Sequence, residues 1–395
     1  MKSSTLFSMG SGAKENGKHI SGDAAGHRRR TVEELLVVRK TDTHVFVADA
    51  EDLWIPRGAK GLFGGQVIGQ ALIAAAESVP SPYSASSVHC YFVSRGDTRG
   101  DITYQVESIR NGSSFHTRSV EGRQNGNVIL KMMAQFHAFE KGSPYLTYSQ
   151  PMPEVEYQPE ELASYETIVA RIASEDDTLL ASFREFLRKY SGDYLPVDRR
   201  PVADFGLIQR GDGIQENKKA RLRDTTKRVW PSVDKPSDEM YRMATRQFWL
   251  RPRNGVSTNK TAHKSVLAYM SDLNILATAL EPAGGLYYAN IPALTSLDHT
   301  LYFHEPNVRA DEWLLFDMKC LISSHARALC VSQIFTRDGI LVCTAIQEGL
   351  IRLGNPPMRV LHKPSLEISL NRERKDHNNS NDDVHHQPTN SSSKL

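Results

Sequence analysis

The stretch His89-Cys90-Tyr91-Phe92 is followed by Asn111-Gly112-Ser113-Ser114-Phe115-His116-Thr117-Arg118, a turn at Asn125-Gly126 and an apolar run ending at Gln135. Far downstream the chain reads His299-Thr300-Leu301-Tyr302-Phe303, then Ser323-Ser324-His325-Ala326-Arg327, a turn at Asp338-Gly339 and an apolar run ending at Gln347. The landmarks come in the same order at similar spacing, although the interval from arginine to turn differs between the copies. A diverged internal repeat predicts two related units packed as a pseudo-dimer, in which one copy can keep chemistry that the other has lost. Chance similarity of two β-meanders is the competing reading.

Each landmark set sits in a similar run of elements. In a first unit over 31–140, Phe63 to Ala76 has apolar residues at helical spacing behind a glycine-rich entry. Strand-like runs follow at Ser87 to Val93, Asp101 to Arg110, Phe115 to Gln124 and Asn127 to Glu140, with Asn125-Gly126 as a strong hairpin signal. In a second unit over 246–356, His263 to Leu280 reads as a helix; Leu297 to Phe303, Trp313 to Ser323, Ala326 to Thr336 and Ile340 to Arg352 read as strands. One long helix with consecutive antiparallel strands, repeated, predicts an α+β fold with helices on one face of a sheet. Between the units, 141–245 is a polar linker or insertion. Within it Ser174 to Tyr190 reads as an amphipathic helix with Ser174 as N-cap, and Lys218 to Arg223 is a basic stretch.

Composition narrows the class. The 395 residues allow two or three domains, and 39% apolar with 24% charged residues is the balance of a globular protein. A formal charge of +2 gives no reason to expect nucleic acid as a partner. No apolar run reaches the roughly 18 residues that would suggest a membrane span. Cys90, Cys320, Cys330 and Cys343 form no CxxC pair and lie in apolar, strand-like surroundings, so no metal site is expected and buried thiols are.

The two ends read differently from the middle. Residues 1–30 are rich in Ser, Gly, Lys and His, lack the apolar core of a signal peptide, and read as a disordered extension. Residues 357–395 read as a disordered tail ending in Ser393-Lys394-Leu395. That tripeptide is a receptor-read peroxisomal address, and a polar tail leaves its carboxylate reachable by an import receptor.

Candidate chemistry is sparse. Gly61-Leu62-Phe63-Gly64-Gly65 lacks the spacing of a nucleotide loop, but glycines at a helix start let backbone N–H groups approach an oxyanion; tight helix packing explains them equally well. Neither GxSxG nor HExxH occurs. Asp272 stands amid apolar neighbours in Val266 to Leu276, Ser296 precedes the strand Leu297-Asp298-His299, and Gln347 lies in an apolar strand. An acid, a hydroxyl and an amide could share one water, with the carboxylate as general base. On spacing alone each is equally a cap, a strand end or a satisfied polar residue.

Phe63-Gly64-Gly65-Gln66-Val67-Ile68-Gly69-Gln70, Tyr269-Met270-Ser271-Asp272-Leu273-Asn274-Ile275-Leu276, Ser296-Leu297-Asp298-His299 with Tyr302-Phe303-His304, and Gln347-Glu348-Gly349 resemble type II acyl-CoA thioesterases, bacterial and peroxisomal, across both units. The resemblance implies a double hotdog, each unit wrapping an antiparallel sheet around a long helix. It implies a catalytic Asp272, Ser296 and Gln347 in the second hotdog, with Thr295 the neighbouring alternative for the hydroxyl. It points to Phe63, Gly64, Gly65 and Gln66 as substrate-binding and requires no cofactor. The expected reaction is hydrolysis of medium- to long-chain acyl-CoA to fatty acid and CoA in the peroxisome, by a homo-oligomer joined through sheet edges. A non-catalytic acyl-CoA-binding protein is the alternative from another class, and a hotdog hydratase the alternative enzyme. For the hydratase no His-Asp motif appears on the helix; His89, His116, His299, His304 and His325 lie in or beside strands as structural residues or substrate contacts.

Overall fold

The computed structural model describes residues 30–138, 145–175, 181–192, 195–202, 207–210, 213–216, 244–283 and 291–352. The N-terminal extension before residue 30, the basic stretch 218–223 and the terminal Ser393-Lys394-Leu395 lie outside them. Five α-helices are described: α1 (Val32–Leu35), α2 (Gly64–Ala76), α3 (Tyr165–Glu175), α4 (Ala181–Gly192) and α5 (Lys260–Ser271). The strands of the first unit are β1 (Arg39–Asp42), β2 (Val45–Ala48), β3 (Ser84–Phe92), β4 (Ile102–Asn111), β5 (Phe115–Gln124) and β6 (Asn127–His137). The middle segment supplies β7 (Val197–Pro201) and the separate hairpin β8 (Leu207–Arg210) and β9 (Gly213–Glu216). Then come β10 (Thr245–Pro252), β11 (Ala293–Ser296), β12 (Asp298–Phe303), β13 (Leu314–Ser324), β14 (Arg327–Phe335) and β15 (Leu341–Arg352).

The main sheet runs β1-β2-β4-β5-β6-β3-β12-β15-β14-β13-β10-β7, with β11 also paired to β15. Counted outward from the β3–β12 junction, the two halves have the same order: β3, β6, β5, β4, β2, β1 on one side and β12, β15, β14, β13, β10, β7 on the other. The repeat is therefore a repeat of topology, and the two copies form a double hotdog. Antiparallel pairing of Asp298 with Tyr91 through Tyr302 with Ser87 makes the sheet continuous across the copies. The middle segment does more than connect: β7 pairs with β10 and occupies the edge position that β1 holds in the first half.

The hairpin signal at Asn125-Gly126 is realised with both residues left-handed, φ 51° and 79°, the geometry that two-residue hairpins favour. The turn between β13 and β14 carries no such signal, and there His325 and Ala326 take φ 51° and 60° without glycine. The helix expected over 263–280 stops at Ser271, and Leu276–Ala283 continues as a 3-10 helix. The helix expected over 174–190 is instead two, α3 and α4. Ser174 lies in the last turn of α3 with Oγ donating to the Arg171 carbonyl, so it caps no N-terminus. Its hydroxyl finds a nearer acceptor inside the preceding turn.

Helices α2 and α5 form the centre. Ten residues of each are buried, polar ones included, so both helices are enclosed nearly all round rather than along one stripe. They cross antiparallel at backbone distance: a Cβ added at Gly65 would meet the Tyr269 carbonyl at 2.4 Å, and one at Gly69 would meet Leu36 at 2.7 Å and the Ser265 carbonyl at 3.1 Å. The glycines are required by this approach. It also brings the start of α2 beside the end of α5.

Candidate active site

Asp272 caps the C-terminus of α5. The helix ends because Leu273 N–H turns back to the Met270 carbonyl at 3.0 Å and Asn274 takes a left-handed φ of 66°. The half-buried carboxylate then faces the first turn of α2, where its Oδ2 accepts the Gly65 N–H at 2.8 Å. A Cβ on Gly64 would lie 2.9 Å from the same oxygen and 2.7 Å from the Phe92 ring. Burial pushes the carboxyl up to about 7, against the lowering effect of the Gly65 N–H and of a hydrogen bond from Gln347. A carboxyl poised there is partly ionised near neutrality, and its carboxylate form can accept a proton.

Gln347 belongs to the inward row Cys343, Ala345, Gln347, Gly349 and Ile351 of β15, and is the polar member of it. It is 1% exposed, so its amide must be satisfied inside the protein. Nε2 donates to Ser296 Oγ at 2.5 Å, the amide also bonds the Asp272 carboxylate, and Oε1 lies 2.5 Å from His299 Nδ1. Ser296 and His299 are three positions apart, which in a regular strand puts them on opposite faces. Here Ser296 pairs with Gly349 while Thr300 pairs with Ile346, so one extra residue is accommodated between β11 and β12. Leu297 holds this bulge, its N–H on the Glu348 carbonyl at 2.9 Å and its carbonyl accepting Phe92 N–H at 3.0 Å. The bulge turns both side chains onto Gln347. Ser296, and not Thr295, makes the contact.

Asp272, Ser296 and Gln347 are thus brought together. Of the residues expected to bind substrate, Gly64 and Gly65 reach the carboxylate. Phe63 is buried edge-on against Tyr269 and Trp54, with ring centroids 4.9 and 5.5 Å away. Gln66 is fully buried and its side chain is spent on backbone: Oε1 accepts Trp54 N–H at 3.0 Å, and Nε2 donates to the Leu35 and Asp52 carbonyls at 2.9 and 2.7 Å. It fastens the loops before α2. All four cysteines are buried free thiols; burial holds Cys90 well above the usual thiol range and pushes Cys343 up to about 12, so neither supplies a thiolate. His299, read from the sequence only as a strand histidine, is the site member that was missed. The bulge that turns it inward carries no glycine or proline to announce it.

The acyl-CoA thioesterase N-terminal domain family matches residues 51–137, and the acyl-CoA thioesterase C-terminal domain family matches residues 208–351. Acyl-coenzyme A thioesterase 8 of Homo sapiens is 34% identical over 302 residues, covering 76% of this chain and 82% of that protein. The chain belongs to the type II acyl-CoA thioesterase family. This thioesterase is also 27% identical over 329 residues to the peroxisomal acyl-coenzyme A thioester hydrolase 1 of Saccharomyces cerevisiae, covering 76% of the chain and 88% of the relative. Among solved structures, the acyl-CoA thioesterase II of Mycobacterium marinum superposes with a TM-score of 0.56 at 27% identity, covering 83% of the thioesterase and 99% of that chain. The C-terminal match begins at 208, ahead of β10.

Proposed function

We propose that this thioesterase hydrolyses medium- to long-chain acyl-CoA through a water activated by Asp272, Ser296 and Gln347. The observation that carries the reading is the Asp272 carboxyl, raised to about 7 at the meeting of two helix ends and bonded to the Gln347 amide. Asp272 accepts a proton from water as the oxygen attacks the thioester carbonyl. Ser296, whose Oγ already accepts from Gln347, has its own hydrogen left to orient the water. The Gly64 N–H in the first turn of α2 stabilises the tetrahedral oxyanion, since the Gly65 N–H is held by Asp272 and those of Gln66 and Val67 by the Phe63 carbonyl. Collapse expels the CoA thiolate, and the proton held on Asp272 neutralises it, so no acyl-enzyme and no cofactor are needed.

The test is thiol release from decanoyl- and palmitoyl-CoA by wild type and by Asp272→Asn. Release by wild type with loss of about 10²-fold or more in the folded variant is the expected result. Binding of both esters without release would replace the enzyme by an acyl-CoA-binding protein. Equal rates would keep the enzyme and discard Asp272 as its base.

We further propose the peroxisome as its place of action. The terminal Ser393-Lys394-Leu395 supports this, as does the name of the yeast relative. A fluorescent fusion that leaves this carboxyl terminus free should collect in peroxisomes, and removing the three residues should disperse it.

A further inference from the structure

His299 is 0% exposed, yet both ring nitrogens are engaged: Nδ1 lies 2.5 Å from Gln347 Oε1 and Nε2 lies 2.9 Å from Ser271 Oγ. An amide oxygen only accepts, so Nδ1 carries a hydrogen. Burial holds the imidazole down to about 4, so it is neutral and Nε2 is bare. Ser271 must then donate to Nε2 in preference to the Ala268 carbonyl, which also lies 2.8 Å from its Oγ. The hydrogen bonds run in one direction: Ser271 to His299, His299 to Gln347, and the Gln347 NH2 to Ser296 and the Asp272 carboxylate.

That direction has a consequence for Gln347. A carboxamide has two nearly isosteric orientations, and only its partners choose between them. Rotated by half a turn, the NH2 would face the Nδ1–H, donor against donor, and Oε1 would face the Asp272 carboxylate, acceptor against anion. With no donor opposite its oxygen, the carboxamide would be held by the carboxylate's preference alone.

We propose that His299 is a positioning residue for the reaction: through Nδ1–H it locks the Gln347 carboxamide with its NH2 aimed at Ser296 and Asp272, while its bare Nε2 accepts from Ser271, the residue before the base. This rests on the Asp272, Ser296 and Gln347 reading of the site. His299 itself touches no reacting atom. It acts by removing the orientation of Gln347 that would repel the carboxylate.

The test compares His299→Leu, which removes the donor, with His299→Asn, whose side-chain amide nitrogen stands where Nδ1 stood. His299→Leu is expected to lower kcat by about 30- to 100-fold with KM within about twofold, the scale of a misplaced catalytic contact. His299→Asn is expected to recover to within about fivefold of wild type by restoring that contact. Adding His299→Leu to Gln347→Ala should cost almost nothing more, because the first acts through the second. The acid limb of the kcat/KM profile should move to higher pH in His299→Leu, since Asp272 loses a hydrogen bond to its charged form. Equal loss in the Leu and Asn variants, or additive loss with Gln347→Ala, would reduce His299 to a packing residue and overturn the proposal.

If His299→Leu does not fold, the native protein still decides. Its imidazole ¹⁵N spectrum, with His299 assigned by the signal lost in His299→Asn, should show the Nδ1–H form, and the Nε2–H form would overturn the proposal. Asp272→Asn, measured alongside, separates the two levels. Activity in Asp272→Asn sinks the underlying site, whereas an inactive Asp272→Asn beside a fully active His299→Leu sinks only the positioning role.

Discussion

Replacing Asp272 by asparagine should make the protein more stable while it becomes inactive, and the gain should depend on pH. The fold raises this carboxyl from 3.8 to about 7, chiefly by burial. Between about pH 4 and 7 the folded carboxyl keeps its proton while the unfolded one has released it. The folded state then binds more protons, so stability falls as pH rises through that window, and the loss is complete above 7. At about 1.4 kcal/mol per pH unit, the full cost is about 4 kcal/mol, of which about 3 kcal/mol accrues between pH 5 and 7. Asparagine resembles the protonated acid in shape and charge and does not titrate. Urea unfolding followed by tryptophan fluorescence should therefore show the variant pulling ahead of wild type by about 3 kcal/mol on going from pH 5 to pH 8.5. Parallel pH dependences for the two proteins would refute the raised carboxyl, and with it the physical basis for Asp272 as base.

Other outcomes follow from the same structure. In wild type, kcat/KM for acyl-CoA should fall tenfold per pH unit below an apparent pKa near 7, because the base must be deprotonated; a profile flat down to pH 5 would contradict this. Gly65→Ala puts a methyl 2.4 Å from the Tyr269 carbonyl, a backbone atom that cannot give way, and should cost about 2 kcal/mol or more by thermal unfolding. Lys264 is 3% exposed, with Nζ on the Ala85 carbonyl at 2.6 Å, and burial pushes its ammonium down to about 8. A depressed lysine contributes full stability above its unfolded value of 10.5 and loses it as pH falls to 8, so Lys264→Met should be more stable than wild type at pH 7 and lose that advantage by pH 10.5. Ala326→Gly relieves a φ of 60° and should raise stability by about 1 kcal/mol in urea unfolding, whereas unchanged stability would argue against strain in that turn.

Much of the fold was legible because it was written twice. The Asn125-Gly126 turn, the strand Phe115–Gln124 and the apolar helix behind Gly64 follow local rules that a single sequence displays. What escaped reading depends on contacts distant along the chain. The chain leaves its helix at Ser271 through a left-handed Asn274, and β7 joins a sheet edge from a segment that looks like linker. Asp272, Ser296 and Gln347 stand out individually as polar residues in apolar company, but only the resemblance groups them. His299 was beyond reach for a definite reason. Alternation along a strand assigns it to the face opposite Ser296, and the extra residue between β11 and β12 reverses that assignment. Gln66, conversely, sits beside two glycines that do reach the carboxylate, and proximity in sequence made it look like their partner.

The hydrogen bond from Gly65 to Asp272 joins residues 207 positions apart, one in each copy of the repeat. Were the two copies separate identical subunits, twofold symmetry would impose every substitution on both ends of the helix pair at once. A change that improved the donor turn would also alter the helix that must furnish the acid. Tandem fusion lifts that constraint. One copy is free to specialise as cradle and the other as reagent, and in the proposed site neither half alone holds every part.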